Sequence, residues 1–576
     1  MKKTGATLAR FALEQIGVRM TFGIPGVHNT ELYDELGSSE HITPILVTHE
    51  CGAAFMADAV SRTSASIGTL LIVPAAGVTH AASGIGEAYL AGIPMLVISG
   101  GIHSQSPYRY QLHEMDQHAL IAPLTKGTFL IESHEQVIPT IYQAYRLAMD
   151  GEPGPVFLDL PYNISNFLGT VPDMPAFTGL PAPVAVDLAA VQQAAVLLSE
   201  AKQAGLFVGW GAVDCQNELV ELAELLNAPV ATTLQGLSAF PGEHPLHTGM
   251  GFGAYSVPAG EQAFAKCDTL LAIGTRFAEI PTGSFSMQVP QNLIHLDINP
   301  AVFNANYPAR VCLAGDAKEI MPALLQAVKA LSPQPSSQPM AQIIGQAKAG
   351  YRKEWLAHNS GGRINPAHFF QALRQQLKSD SLVVADDGNH TYLTAELMPI
   401  LAARGFISPT DFNAMGYCVP AVIGAKLANP DKTVIGIVGD GALLMTGLEL
   451  LTAVRHQLGV VLFVFNDGEL SQIAQAQEIP YNRKTCSQLQ EIDLAALSKT
   501  VGAHYLVLEQ ATAVGSVIEE ALRLAAQSVT VLVDVQIDYS KRTRFTQGVV
   551  KATLKRFSTQ DKLRIIGRAI LRKVTG

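Results

Sequence analysis

Short, uninterrupted apolar runs recur at residues 70–73, 95–99, 206–209, 270–274, 382–385, 434–438 and 460–465, each ending on or just before a Gly, Pro, Asn or Asp. They are too short for helices and lack polar alternation, the pattern of strands buried on both faces of a parallel sheet. Segments between them have helical spacing, residues 443–456 among them. Strand and helix therefore alternate in the manner of doubly wound α/β units. Two Pro/Ser-rich breaks, at 166–183 and 332–339, divide the series. The expected architecture is three doubly wound parallel-sheet domains at 1–165, 186–331 and 360–540, with a helical tail at 541–576. A chain of 576 residues with 48% apolar and 15% charged residues agrees with several large buried sheets.

Charge sets the tail apart. Residues 541–576 hold eleven Lys/Arg and one acid, so the tail carries +10 and the rest of the chain −20. Leu563, Ile566, Ile570, Leu571 and Val574 repeat at helical spacing between Lys562, Arg564, Arg568, Arg572 and Lys573. Such a basic amphipathic helix fits peripheral contact with anionic lipid, and equally a helix packed over a site mouth or on the acidic body. No apolar run reaches the roughly 18 residues of a membrane span. The opening residues read as an amphipathic helix rather than a signal peptide. Six cysteines at 51, 215, 267, 312, 418 and 486 show no paired spacing. Reduced thiols and a cytoplasmic location are expected, with no nucleic-acid partner.

The chemistry concentrates in the last third. Gly439-Asp440-Gly441 follows the run 434–438, and Asn466-Asp467 follows the run 460–465, with the second acid 27 residues after the first. Both acids then sit at carboxyl ends of strands, where open α/β sheets bind ligands. Gly441 allows close backbone approach to a phosphate at a helix start, and two hard oxygen donors beside it suit Mg²⁺ on a diphosphate. Gly-Asp-Gly alone is also a common strand-end turn; the second acid at this distance favours the metal.

These motifs resemble those of the thiamin diphosphate enzymes related to acetolactate synthase, pyruvate decarboxylase and benzoylformate decarboxylase. The family motif ends in two asparagines; here the second is Asp467, an equally good oxygen donor. The resemblance implies Mg²⁺ held by Asp440, Asp467 and the Glu469 carbonyl, and a diphosphate cradle of Asn389, His390, Gly439, Gly441 and Ala442, with Leu470 beside it. Residues 47–58 (VTHECGAAFMAD) match the segment that places a glutamate, here Glu50, against the cofactor's aminopyrimidine ring. A carboxylic acid in an apolar pocket can bond that ring nitrogen and shuttle its proton, while the electron-sink chemistry is the cofactor's own. Residues 413–421 (NAMGYCVPA) resemble the turn whose methionine, Met415, wedges the cofactor into a bent shape. The resemblance covers all three units. It implies a homodimer or homotetramer in which Glu50 of one subunit meets Asp440 of another.

Substrate is less legible. Gln472 and Ile473 occupy positions that face substrate in the family, and three histidines are further candidates: His28 beside the first-loop position where pyruvate decarboxylases place an acid, His80 after Ala75-Ala76-Gly77, and His113 where pyruvate decarboxylases also have histidine. The first loop and residues 113–117 resemble the branch containing 2-ketoarginine decarboxylase. Each histidine also reads as a loop residue near a strand end. The expected activity is decarboxylation of a 2-oxo acid through an enamine, giving an aldehyde or, with an aldehyde or ketone acceptor, a 2-hydroxyketone. The alternatives are acetolactate synthesis from pyruvate and a flavin-linked 2-oxo acid oxidase at the membrane. Residues 274–280 (GTRFAEI) lack the aspartates and final arginine of the family's FAD segment, which puts FAD in doubt. Residues 295–300 (HLDINP) resemble a nucleotide-binding strand end and read equally as a structural turn.

Overall fold

The computed structural model describes residues 1–575. The side chains of Ile479, residues 550–555, Ile565, Ile566 and residues 574–575 lie outside that description, and with them two members of the tail's expected apolar face, Ile566 and Val574. Three six-stranded parallel sheets form three α/β domains. In the first, strands run in the order Thr43–Leu46, Met20–Gly23, Gly68–Ile72, Met95–Gly101, Pro155–Pro161, Gly127–Leu130. The third has the same sequential order: Phe406–Ile407, Leu382–Ala385, Val434–Gly439, Val460–Phe465, Val531–Val535, His504–Leu508. The central sheet differs, with His247–Met250, Val230–Thr232, Ala204–Val208, Thr269–Ile273, Asn292–Asp297 and Val311–Ala314. The inner strands are buried almost throughout, which is why their sequences read as continuous apolar runs.

The first and third units pack through two helices, Glu50–Thr63 and Cys418–Ala428. Small residues let them approach closely: a Cβ at Gly424 would lie 2.3 Å from the Met56 carbonyl oxygen. Phe55 and Met56 on the facing helix are wholly buried, each worth roughly 1.5–3 kcal/mol in apolar surface removed from water.

The single helix expected at 443–456 is instead three pieces: Asp440–Thr446, a 3₁₀ turn at Gly447–Glu449, and Leu450–Arg455. The break has a visible cause. Glu449, 2% exposed, turns to accept bonds from the Thr48 amide at 3.1 Å and the Thr48 hydroxyl at 2.6 Å.

The tail forms helices Arg544–Arg556 and Thr559–Thr575. The first is fastened by Glu396, which accepts from the Arg544 and Phe545 amides at 3.2 and 2.8 Å. Phe545 stacks on Tyr392 at 4.5 Å and meets Tyr255 edge-on. The second touches the helix Ser471–Tyr481, where Arg572 donates to the Pro480 carbonyl at 3.0 Å. Its Leu563, Ile570 and Leu571 are 59–66% exposed. Among the described residues no helix is long and apolar enough to cross a membrane.

Candidate active site

In the third sheet the strands Leu382–Ala385 and Val434–Gly439 lie side by side, and the chain leaves them in opposite directions along the sheet. The crevice outside such a pair is where open α/β sheets bind ligands. A cavity of about 170 Å³ occurs there, lined by Asn389, His390, Met415, Gly439, Asp440, Gly441, Ala442, Asp467, Glu469, Leu470, Gln472 and Ile473. The diphosphate and metal residues expected from the sequence, together with Gln472 and Ile473, are thus brought together.

Asp440 opens its helix and is 4% exposed. One carboxylate oxygen accepts from the Gly441 amide at 2.7 Å, the other from the Gly468 amide at 2.7 Å and the Asp467 amide at 3.3 Å. Its carboxyl is raised above the ordinary range, chiefly by burial. Asp467 accepts a hydrogen bond from the Ser471 hydroxyl and leaves Oδ1 buried without a partner. Burial first, and then the Asp440 charge, push Asp467 up to about 6. Asn466 turns away and donates to Asp534 at 3.1 Å.

The rest of the cradle is equally specific. His390 is 3% exposed, and burial pushes it down to about 3, so the ring is neutral, with Nε2 buried and unpartnered. Gly388, at φ 148°, leaves room for that ring: a Cβ there would fall 2.7 Å from it. A Cβ at Gly441 would fall 2.5 Å from Leu470. Gln472 Oε1 is a third buried polar atom with no partner.

Sequence reasoning missed Asp386, which is fully buried. It accepts from the amides of Asp387, Gly416 and Cys418 at 2.9, 2.9 and 2.7 Å and so shapes the turn that carries Met415. Burial pushes its carboxyl up to about 7. Ser471, Tyr539 and Asn413 also line the cavity and were not anticipated there.

Glu50, His28, His80 and His113 are elsewhere; none lines this cavity. They follow strands of the first sheet and so gather at its carboxyl edge. Glu50 starts its helix and is 6% exposed, with Oε2 3.0 Å from His80 Nδ1. His49 stacks on His80 with ring centroids 4.7 Å apart. His28 and His113 meet edge-on at 5.2 Å, and His28 is lowered by burial and by His113.

A second cavity, about 430 Å³, lies where the three units meet and is lined by Gly211, Gln235, Gly274, Arg276 and Asp297 among others. Arg276 is tied to Asp411 and the Leu90 carbonyl, and it pairs with Glu152 at 3.5 Å. Burial raises Asp297 to about 6.

Two doubly wound units of one strand order flank a Rossmann-like centre, with two acids and a helix start at the carboxyl edge of one and a buried glutamate at that of the other, an arrangement suited to a diphosphate cofactor. Three sequence families match in that order: the N-terminal TPP binding domain of thiamine pyrophosphate enzymes at residues 3–120, their central domain at 191–324, and their C-terminal TPP binding domain at 386–535. The chain is 30% identical over 560 residues to the acetolactate synthase isozyme 3 large subunit of Escherichia coli, covering 93% of this chain and 95% of that protein. It is 30% identical over 553 residues to the acetolactate synthase large subunit of Haemophilus influenzae, covering 94% and 96%. With the probable acetolactate synthase large subunit of Methanocaldococcus jannaschii it shares 31% over 500 residues, 83% of each chain. The chain belongs to the acetolactate synthase-like thiamin diphosphate enzymes, which act on 2-oxo acids.

Proposed function

We propose that the chain decarboxylates a 2-oxo acid and joins the remaining fragment to a second 2-oxo acid, the reaction type for which its acetolactate synthase relatives are named. The carrying observation is the cavity of the third unit, where His390 Nε2, Asp467 Oδ1 and Gln472 Oε1 are buried without partners. Buried polar atoms left unpaired are costly, and three of them facing one cavity fit a polar ligand there. Two neighbouring carboxylates with raised proton affinity fit a divalent cation, which would hold them ionised. Asp440, Asp467 and the Glu469 carbonyl would hold Mg²⁺. Asn389, His390 and the amides of Gly441 and Ala442 would hold the diphosphate. When bound, thiamin diphosphate supplies the electron sink for cleaving the bond next to the carbonyl.

The chain's own groups do the rest. Glu50 presents a buried carboxyl oxygen, and His80, whose side chain is 50% exposed against 8% for Glu50, connects that oxygen with solvent, a route by which a proton can move. Gln472 presents its free carbonyl oxygen beside the diphosphate residues, where it can accept a hydrogen bond from the hydroxyl of the joined product.

Glu50 and the cavity belong to different edges of one chain, and a second copy completes the site. Exposed large apolar residues support this: Leu444, Met445, Leu448 and Leu451 beside the metal motif, and Tyr108, Tyr110 and Leu112 on the loop before His113, are 45–96% exposed. Such clusters mark contact surfaces.

A second reading, decarboxylation to an aldehyde, is favoured by the His28–His113 pair, since paired imidazoles can relay the proton that ends the reaction there. A panel of 2-oxo acids, followed by CO₂ release and product mass, separates the two. Carbon dioxide with a joined 2-hydroxy-3-oxo acid supports the synthase; carbon dioxide with an aldehyde alone sinks it. A flavin-linked oxidase is disfavoured by Ala278, Glu279 and Ile280 in place of the FAD segment's two aspartates and final arginine, and visible absorbance of the purified protein tests it.

A further inference from the structure

The turn that presents Met415 to the cavity is gripped from two sides. Asp386, in its own unit, takes the Gly416 and Cys418 amides. The other grip comes from the first unit. Glu87, on the helix Ala76–Ala91, is wholly buried and accepts from the Thr410 amide at 3.0 Å through one oxygen and from the Ala414 amide at 3.3 Å through the other. Next to it Gly86 makes room for the Phe412 ring, since a Cβ there would lie 2.5 Å from that ring.

The segment needs such support. Asn413 at φ 62° and Gly416 at φ 86° flank Ala414 and Met415, so two residues lie between two left-handed ones. A non-glycine residue in that region persists only where its surroundings hold it. The charged groups around Glu87 are Arg62 and Asp58 on the helix Glu50–Thr63, and the titratable neighbour Tyr417 is neutral, its hydroxyl donating to Asp58 at 2.6 Å. Arg62 is paired with Asp58 at 2.7 Å, so Glu87 is not needed to neutralise it, and its two carboxylate bonds are both spent on the turn.

We propose that Glu87 is a positioning residue for the cofactor. By holding the Thr410 and Ala414 amides it fixes Met415 at the cavity, so a residue of the first unit sets cofactor affinity in the third unit of the same chain. The proposal rests on the cofactor reading above.

The test is calorimetric titration of thiamin diphosphate, with Mg²⁺ in excess, into the wild-type protein, Glu87→Gln, Met415→Ala and the double variant. Glutamine keeps one acceptor and turns an NH₂ towards the second amide, so Glu87→Gln is expected to raise Kd about tenfold. Met415→Ala is expected to raise it similarly, and adding Glu87→Gln to Met415→Ala should cost less than about twofold, because both act on one contact. A Glu87→Gln Kd equal to wild type, or full additivity in the double variant, overturns the proposal. Should Glu87→Gln fail to fold, Glu87→Asp carries the test: it keeps the charge but draws it back by one methylene, and a wild-type Kd there overturns the proposal too. A wild-type protein that takes up no thiamin diphosphate would instead sink the cofactor reading itself.

Discussion

A carboxylate at the start of a helix ordinarily faces water and is held there by the macrodipole. Glu50 departs from that: it is 6% exposed and its carboxylate pairs with an imidazole that reaches solvent. Replacing it with glutamine removes the capacity to transfer a proton and keeps the shape. Glu50→Gln should lower kcat at least about 100-fold while the thiamin diphosphate Kd stays within a few-fold, as steady-state kinetics and a cofactor titration would show; unimpaired turnover would refute its role. Asp386 makes a different point. Its carboxyl is raised to about 7 by burial, so between roughly pH 4 and 7 the folded protein keeps a proton that the unfolded chain has released. Stability should therefore fall as pH rises through that window, by up to a few kcal/mol, and level off above it. Thermal melts of the cofactor-free protein from pH 4.5 to 8 should show this slope reduced in Asp386→Asn, and an identical slope in the variant would refute it. Glu50 was legible because a whole segment surrounds it. Asp386 was not, because an acid just after an apolar run reads as a turn residue until its three amide partners, 30 and 32 residues distant in two cases, are seen.

Among elements, the strands Leu382–Ala385 and Val460–Phe465 coincide with their expected bounds, since a strand buried on both faces leaves an uninterrupted apolar run. The stretch 443–456 did not hold as one helix. Its spacing is helical, but Glu449 is drawn out of register by Thr48, some 400 residues away, and no local pattern encodes that pull. The tail illustrates the same limit. Its amphipathic pattern was visible, yet its anchorage depends on Glu396, Tyr392 and Tyr255 from two other units. Phe545, 3% exposed, is the plug. Phe545→Ala should cost about 3–5 kcal/mol if the aromatic slot cannot collapse, read as a lowered Tm; a Tm unchanged from wild type would mean that the tail is not docked there. The neighbouring helix Ser471–Tyr481 begins at the cavity and ends against Arg572, so the same variant should also weaken cofactor binding.

At the scale of the whole molecule, the first and third sheets share one strand order, and each gathers candidate residues at its carboxyl edge, Glu50 and the histidines on one, the acids and the phosphate cradle on the other. Sequence motifs supplied both lists of residues, but only the fold separates them into two groups within a chain. If a site needs one group from each of two copies, damage to either group can be complemented. Chains carrying Glu50→Gln alone, or Asp440→Ala alone, should be inactive as pure assemblies. Mixed and allowed to exchange, they form hybrid dimers in which one site collects both substitutions and the other collects neither. Random exchange of equal amounts makes half the dimers hybrid, so about a quarter of all sites should work, because an isologous pair gives each site one contribution from each chain. A mixture that stays as inactive as its components, while subunit exchange is verified by differently tagged chains, would place Glu50 and Asp440 of a single chain in one site and refute the shared-site reading.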